Sequence, residues 1–444
     1  MGQFLEGIMK IVFLRQSALI VMLFLAVWNV GQAQDSLNAH QVGQMSFAAN
    51  YIKAKDVVFS GDYAYLAAAG GGMMVVNISD PTQPWAVAHC YVFPTAWPNY
   101  GCIALSDSYA YVGDWEQGMG IINISDPNAP IAMGYCQVQI CYVTSDIAVR
   151  GNYAYAVWWT EDRDQYFGLK VIDISNPSNP TGVGFLYMPD YAMGVAVRDT
   201  LAYVADDWSG GLRIVNVSDP TNPVEIGSCQ TPDYALDVAV SGNYAYVADD
   251  LSGLRIIDIS NPTAPWEVGF YDTPGDAWHV AIDGHCAVVA DYDSGFYVID
   301  VTYPDDPRLL GYYDTPGRCY SVAIDGELVY AADYDYFGVY DISEALSTSS
   351  NPKTSTPVEF ALYPCYPNPF NAVTAISYEV PVTGLVSISI YNVLGQHVTT
   401  LVNEVLTPGT YSTVWNAGNL PSGIYFVRLS AGNQQLTRKV LLLR

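Results

Sequence analysis

From about residue 41 to 343, short apolar runs alternate with polar turns, and the same arrangement returns roughly every 42 residues. The clearest copy, 237–273, reads DVAVSGNYAYVADDLSGLRIIDISNPTAPWEVGFYDT. It predicts four strands. Asp237–Ser241 and Tyr244–Ala248 flank Gly242-Asn243, a tight-hairpin signal. Leu254–Ile259 reads as a buried, mainly apolar run, Ser260-Asn261-Pro262 turns the chain, and Glu267–Tyr271 completes the unit. The turn prolines Pro81, Pro127, Pro177, Pro220, Pro262 and Pro304 follow one another at 46, 50, 43, 42 and 42 residues. No segment of this region repeats its apolar positions at the 3.6-residue period of a helix. Four antiparallel strands per unit at this period describe the blade of a β-propeller.

Seven units can be counted, and the chain ends predict how they close. The seventh, Val322 to Ser343, holds three strands and no fourth. Ahead of the first unit, Gln41-Val42-Gly43-Gln44-Met45 matches the fourth-strand pattern Glu225-Ile226-Gly227-Ser228-Cys229. The N-terminal strand is therefore expected to complete the last blade, which removes two open sheet edges. Beyond Ser343, EALSTSSNPKTSTP (344–357) reads as an extended linker. The alternation in Ser387–Val393 and Ile424–Leu429, with turns at Gly395-Gln396, Pro408-Gly409 and Pro421-Ser422-Gly423, describes a small β-sandwich. The fold class expected is all-β: a seven-bladed propeller (34–343) and an immunoglobulin-like sandwich (358–444).

Composition adds an address and removes some partners. The 444 residues carry a net charge of −27, unevenly placed: 34–343 holds 10 Lys/Arg against 39 Asp/Glu, while 358–444 holds 4 against 3. An acidic propeller argues against nucleic acid, whose phosphates need a basic footprint. At the N-terminus, Lys10 and Arg15 precede the apolar stretch Ala18–Val30, and Gly31-Gln32-Ala33 offers small residues for cleavage. That is a secretory signal over 1–33, too short to span a bilayer, so the mature chain is expected to hold no transmembrane segment. The eight cysteines form no CxxC and no Cys/His pattern with zinc spacing. Export permits disulfides, and Cys90 with Cys102 and Cys136 with Cys141 bracket loops; buried free thiols are the other reading.

At this point the residues resemble known families. Leu169-Lys170-Val171-Ile172-Asp173, Leu212-Arg213-Ile214-Val215-Asn216 and Leu254-Arg255-Ile256-Ile257-Asp258, with the Ser-Asn/Asp-Pro turn that follows each, resemble the LVIVD repeat. The resemblance covers about 41–343. It implies a secreted or surface β-propeller and brings no catalytic residues with it. The C-terminal part is similar to the sorting domain of type IX secretion through Tyr366-Pro367-Asn368-Pro369-Phe370-Asn371, Ile390–Gln396, Trp415-Asn416, Ser422-Gly423-Ile424-Tyr425 and the tail Lys439–Leu443. This implies handling by the type IX machinery, removal of the domain at the outer membrane, and a body left on the surface of a Gram-negative-type bacterium.

Candidate chemistry lies on one face. In a four-stranded blade the second-to-third loops and the blade-to-blade loops emerge together, and here they hold nearly all the length variation, in Tyr91–Tyr100 and Trp158–Tyr166. That face is expected to gather Trp97, Trp115, Trp158, Trp159, Trp208, Trp278 and Tyr320, with Asp114, Asp206, Asp249, Asp291 and Asp333 recurring just after the second strand. Aromatic faces stack on sugar rings, and carboxylates accept from hydroxyls or hold Ca²⁺. The other reading is that each Asp accepts from turn amides and each ring packs between blades. No DxDxDG loop, GxSxG elbow, HExxH helix or phosphate-cradling loop occurs. His279, beside Trp278, is the single acid/base candidate near the channel mouth. The sequence thus points to a non-catalytic binding or adhesion propeller for an extracellular glycan or protein, with no cofactor beyond Ca²⁺. A polysaccharide-degrading enzyme using two carboxylates and a purely structural surface module are the alternatives.

Overall fold

The computed structural model describes residues 36–47, 52–93, 99–115, 117–137, 143–159, 167–349, 360–362, 365, 370, 373–418, 420–432 and 434–443. The expected signal (1–33), Trp97, Cys141 and most of the enlarged 158–166 loop lie outside these residues.

Seven antiparallel sheets follow one another along the chain, each with its first strand innermost. The inner strands are Lys53–Ser60, Tyr100–Ser106, Val143–Arg150, Ala192–Arg198, Asp237–Ser241, His279–Asp283 and Ser321–Asp325. Each packs against the inner strands of both neighbours, and the seventh packs against the first, so the ring is closed. His40–Ser46 pairs with Tyr336–Asp341 and supplies the missing outer strand of the seventh blade, as the sequence predicts. Gly43 carries the proof of equivalence. A Cβ there would overlap the carbonyl oxygen of Pro81, as one at Gly184, Gly227 or Gly269 would overlap that of Pro220, Pro262 or Pro304. These four outer strands carry glycine where the next blade's turn proline abuts them, whereas the first blade has Ala88 at the matching position. An unforeseen strand, Ser36–Leu37, adds a fifth member to the sixth sheet.

The turn after each third strand has a local cause. In the fifth blade Asp258 Oδ1 accepts the N–H of Ser260, and Asn261 Oδ1 accepts the N–H of Thr263. The same double Asx turn recurs at Asn77/Asp80, Asn123/Asp126, Asp173/Asn176 and Asn216/Asp219. Between each pair of neighbouring blades lies its own apolar cluster, with Tyr65, Tyr111, Tyr155, Tyr203, Tyr246 and Tyr330 buried at matching positions on the second strands.

Two expectations need correction. The first half of the supposed linker is a short helix, Ser343–Ser349. Ala345 is fully buried against the sixth blade, and its N–H donates to Asn38 O (3.1 Å), so an apolar contact overrides the polar composition. Cys90, Cys102 and Cys136 are free buried thiols rather than suspected disulfide partners. Cys102 instead points along the inner ring, Sγ donating to Thr144 O (3.8 Å).

The C-terminal domain is a two-sheet sandwich. One sheet holds Ala361–Leu362, Val373–Val380 and Gly409–Asn416; the other holds Gly384–Asn392, His397–Leu406, Gly423–Ala431 and Gln434–Leu442. Trp415, Phe370 and Tyr425 form its aromatic centre.

Candidate functional site at the channel mouth

All seven blades deliver side chains into one cavity of about 220 Å³ at the axis. The residues come from two consecutive positions of the inner strands. The outer ring is Lys55, Gly101, Ser145, Met193, Leu236, Trp278 and Tyr320; the ring beneath it is Asp56, Cys102, Asp146, Gly194, Asp237, His279 and Ser321. In the first four blades the outer-ring residue is the extra residue of a β-bulge, the register shifting between Ala54/Asp56, Tyr100/Cys102, Thr144/Asp146 and Ala192/Gly194. A bulge re-aims a side chain that would otherwise lie between blades. In the last three blades there is no such bulge, and the strand begins just after the outer-ring residue, at Asp237, His279 and Ser321.

The lower ring is a belt that joins blade to blade. Asp56 accepts the N–H of Ile103 from the second blade (2.8 Å), Asp146 that of Val195 from the fourth (2.7 Å), and Asp237 that of Val280 from the sixth (2.9 Å). In the sixth blade His279 takes the role, Nδ1 accepting the N–H of Val322 (3.5 Å) while Nε2 lies 3.6 Å from Asp237. Ser321 closes the circle, its Oγ donating to Asp56 Oδ1 (2.6 Å). Acids at the first, third and fifth blades therefore serve structure. Burial, with Asp237 beside it, raises the Asp146 carboxyl above the ordinary carboxylate range.

The outer ring is lopsided. Trp278 stacks on Tyr292 (5.3 Å) and meets Tyr320 edge-on (5.2 Å), and Tyr320 stacks on Tyr334 (5.4 Å). Trp115 lies over Gly101, where any Cβ would overlap its indole. Tyr292 and Tyr334 hold φ of 48° and 47°, a region bulky side chains rarely adopt. Their carbonyls accept the N–H of Cys319 (3.0 Å) and Ala54 (2.9 Å) from the following blade, which fixes the conformation. Lys55 projects into this aromatic arc, its Nζ 3.8 Å from the Tyr320 centroid, 4.8 Å from Tyr334 and 5.8 Å from Trp115. Burial, with Arg318 nearby, lowers the ammonium to about 8. Ser145, Met193 and Leu236 form the smooth opposite side.

Of the residues expected on this face, Trp115, Trp278 and Tyr320 meet at the mouth. The expectation fails for Trp158, which is 1% exposed and packs against Phe185, because the second strand turns it into the core. Trp159 and Trp208 sit at the end of a second strand and in the four-residue helix Asp207–Gly210; their side chains are outside the described residues. Asp114, Asp206, Asp249, Asp291 and Asp333 also do not face ligand: they are 0–3% exposed. Each accepts the N–H of the loop leading into its own blade's inner strand, from Asn99 (2.9 Å), Asp190 (3.3 Å), Asp233 (3.1 Å), Gly275 (2.7 Å) and Gly317 (3.0 Å). They hold in place the loops that carry the mouth. Burial raises Asp206 and Asp291 to about 6 and Asp333 to about 7. Lys55, Asp56, Asp146 and Asp237 were missed. Aligning the repeats on Asp56-Val57, Asp146-Ile147 and Asp237-Val238 shows the three acids at one position, with Lys55 one residue ahead of it.

Among the described residues no group of three or more His, Cys, Asp or Glu is arranged to hold a metal ion. Nor is any described helix long and apolar enough to cross a membrane.

The LVIVD repeat model matches 53–91, 101–138, 143–186, 189–231, 232–273, 274–315 and 316–359, about two thirds of the chain. The chain belongs to the LVIVD-repeat family. Residues 364–443 match the secretion system C-terminal sorting domain, so this LVIVD-repeat protein carries the tail handled by type IX secretion. Among solved structures, U3-55K is 12% identical with a TM-score of 0.53, covering 67% of this chain and 98% of that one. The WD40 β-propeller domain of Doa1 is 10% identical with a TM-score of 0.52, covering 68% and 96%. Both likenesses are of fold alone. Comparison with curated proteins gives no match.

Proposed function

We propose that this LVIVD-repeat propeller is displayed on the outer surface of a Gram-negative-type bacterium and binds a glycan or another cell-envelope component, without catalysis, at its channel mouth. The observation that supports this is the convergence of Trp115, Trp278 and Tyr320 on one cavity to which all seven blades contribute. Half-buried ring faces beside a cavity are what a sugar ring stacks on. The N-terminal signal and the sorting domain supply the route, with the sorting domain removed on arrival.

The test is a glycan panel probed with the full-length protein, with and without calcium, followed by Trp278→Ala and Tyr320→Ala on any hit. Binding that each substitution weakens at least tenfold, with the melting temperature unchanged, supports the reading. Binding indifferent to both would move the site away from the axis.

A second reading keeps a specific observation. Asp146 and Asp237 line the same cavity and one of them is raised, as a glycosidase pair requires. Release of reducing ends from a bound polysaccharide, abolished in Asp146→Asn, would replace binding by turnover.

A further inference from the structure

Lys55 stands out among the propeller's cations. Lys53 pairs with Asp335, Arg318 with Asp293, Arg213 with Asp206 and Glu225, and Arg255 with Asp272. Arg150, Lys170, Arg198 and Arg308 likewise have oxygen acceptors. Among the propeller's described cations Lys55 alone has none: its contacts are ring faces, and it lines the cavity. Ring faces hold a cation in position but leave its N–H donors unspent, and donors withdrawn from water need an acceptor. The acids of the lower ring do not provide one: among the described residues no carboxylate oxygen pairs with Lys55 Nζ within 4.0 Å. Asp56, next to it in sequence, is occupied by Val57, Ile103 and Ser321.

We propose that the ligand of the channel mouth is an acidic saccharide whose carboxylate or sulfate is held by Lys55 while its ring stacks on the Trp115–Trp278–Tyr320 arc. This deepens the binding reading above and rests on it. A neutral sugar would leave the ammonium unpaired. A cationic ligand would meet Lys55 in the aromatic arc and be repelled. An acid group in that arc completes the one unmatched charge, and the sugar's hydroxyls then face Ser145 and the upper edges of Asp146 and Asp237. Because the propeller as a whole is acidic, long-range steering opposes an anionic chain. Recognition must come from contact, which suits a short or terminal acidic unit better than a long polyanion.

The test is titration calorimetry of the full-length protein with four probes: tetragalacturonate, its methyl ester, cellotetraose and a sulfated galactan tetrasaccharide. The expected result is that at least one acidic probe binds at least about tenfold more tightly than the ester and the neutral tetrasaccharide. Which acid binds distinguishes carboxylate from sulfate. Lys55→Met, which keeps the stem and removes the charge, should erase the preference, and Lys55→Arg should retain most of it. If Lys55→Met fails to fold, the acid-to-ester ratio in the unaltered protein and in Lys55→Arg still decides. Equal binding of neutral and acidic probes, lost on Trp278→Ala but not on Lys55→Met, overturns the acidic class and leaves the binding reading standing. Failure of every saccharide to bind overturns both.

Discussion

The buried aspartates at the ends of the second strands should make this propeller more stable when weakly acidic than when alkaline, and Asp333 is the place to test it. Its carboxylate is fully buried, accepting the Thr315 hydroxyl (2.8 Å) and the Gly317 N–H (3.0 Å). Burial, with Asp335 and Asp314 adding to it, raises the group from 3.8 to about 7. The folded state therefore keeps a proton that the unfolded chain releases. The contribution is fully present below pH 4 and is lost as pH rises through 7. At about 1.4 kcal/mol per pH unit, that interval corresponds to at most about 4 kcal/mol at pH 8, and relaxation and solvent reduce it to about 2 kcal/mol. Asp333→Asn removes the ionisation and can keep both bonds, Oδ1 accepting from Gly317 and Nδ2 donating to the Thr315 oxygen. The variant should match the parent at pH 4, gain on it steadily above that, and melt roughly 5 °C higher at pH 8. Asp333→Ala, which strands the Thr315 hydroxyl and the Gly317 N–H, should lose about 1–3 kcal/mol at pH 5. Calorimetric melts from pH 3.5 to 9 would measure this. If Asp333→Asn gave the same shift at every pH, or were the less stable protein at pH 8, burial would not control this carboxyl and the reasoning would be wrong.

Three further outcomes follow from the same geometry. Gly43→Val should drive the closing strand off Pro81 and open the seventh blade; limited proteolysis should then cut near the N-terminus, whereas the parent resists. Ser321→Ala removes the one side-chain bond joining the seventh blade's ring residue to Asp56 and should cost about 1–3 kcal/mol in a urea melt, the acceptor being charged. If an acidic saccharide binds through Lys55, its affinity should hold below pH 8 and fall as pH rises through it, because the ammonium lowered to about 8 loses its charge there; calorimetric titrations at pH 6.5, 8 and 9.5 would show it.

The scaffold was legible because its signals are local. The hairpin at Gly242-Asn243, the double Asx turn at Asp258 and Asn261, and the outer-strand glycines each state their requirement within a few residues. Closure was legible because Gly43 answers to the same steric demand as Gly227. The site was only half legible, for two reasons. Trp158 and Trp115 both come near the end of a second strand, yet one lies in the strand and faces the core while the other follows it and reaches the mouth. Composition cannot distinguish those directions. The recurrent aspartates gave a true periodic signal, but of loop anchoring: a carboxylate at a strand end satisfies amides as readily as it would meet a ligand. The polar extension after Ser343 misled because a single buried alanine, Ala345, decides its fate.

What separates binding from catalysis here is how the acids are spent. A general acid or nucleophile needs an oxygen free to reach the substrate, at a reach the protein can vary without unfolding. In the lower ring the oxygens of Asp56 and Asp146 are held by peptide N–H groups of their own strand and of the next blade. Moving either would unlink two blades. Asp237 is similarly engaged with Val280 and lies beside His279. Asp56 and Asp146 are thus poorly placed to act on a ligand, while Lys55, among the described residues, is the charge at the mouth without an oxygen partner. A wall that engages Asp56 and Asp146 in its own structure and leaves one ammonium among ring faces supports the proposed reading of binding at the axis over cleavage.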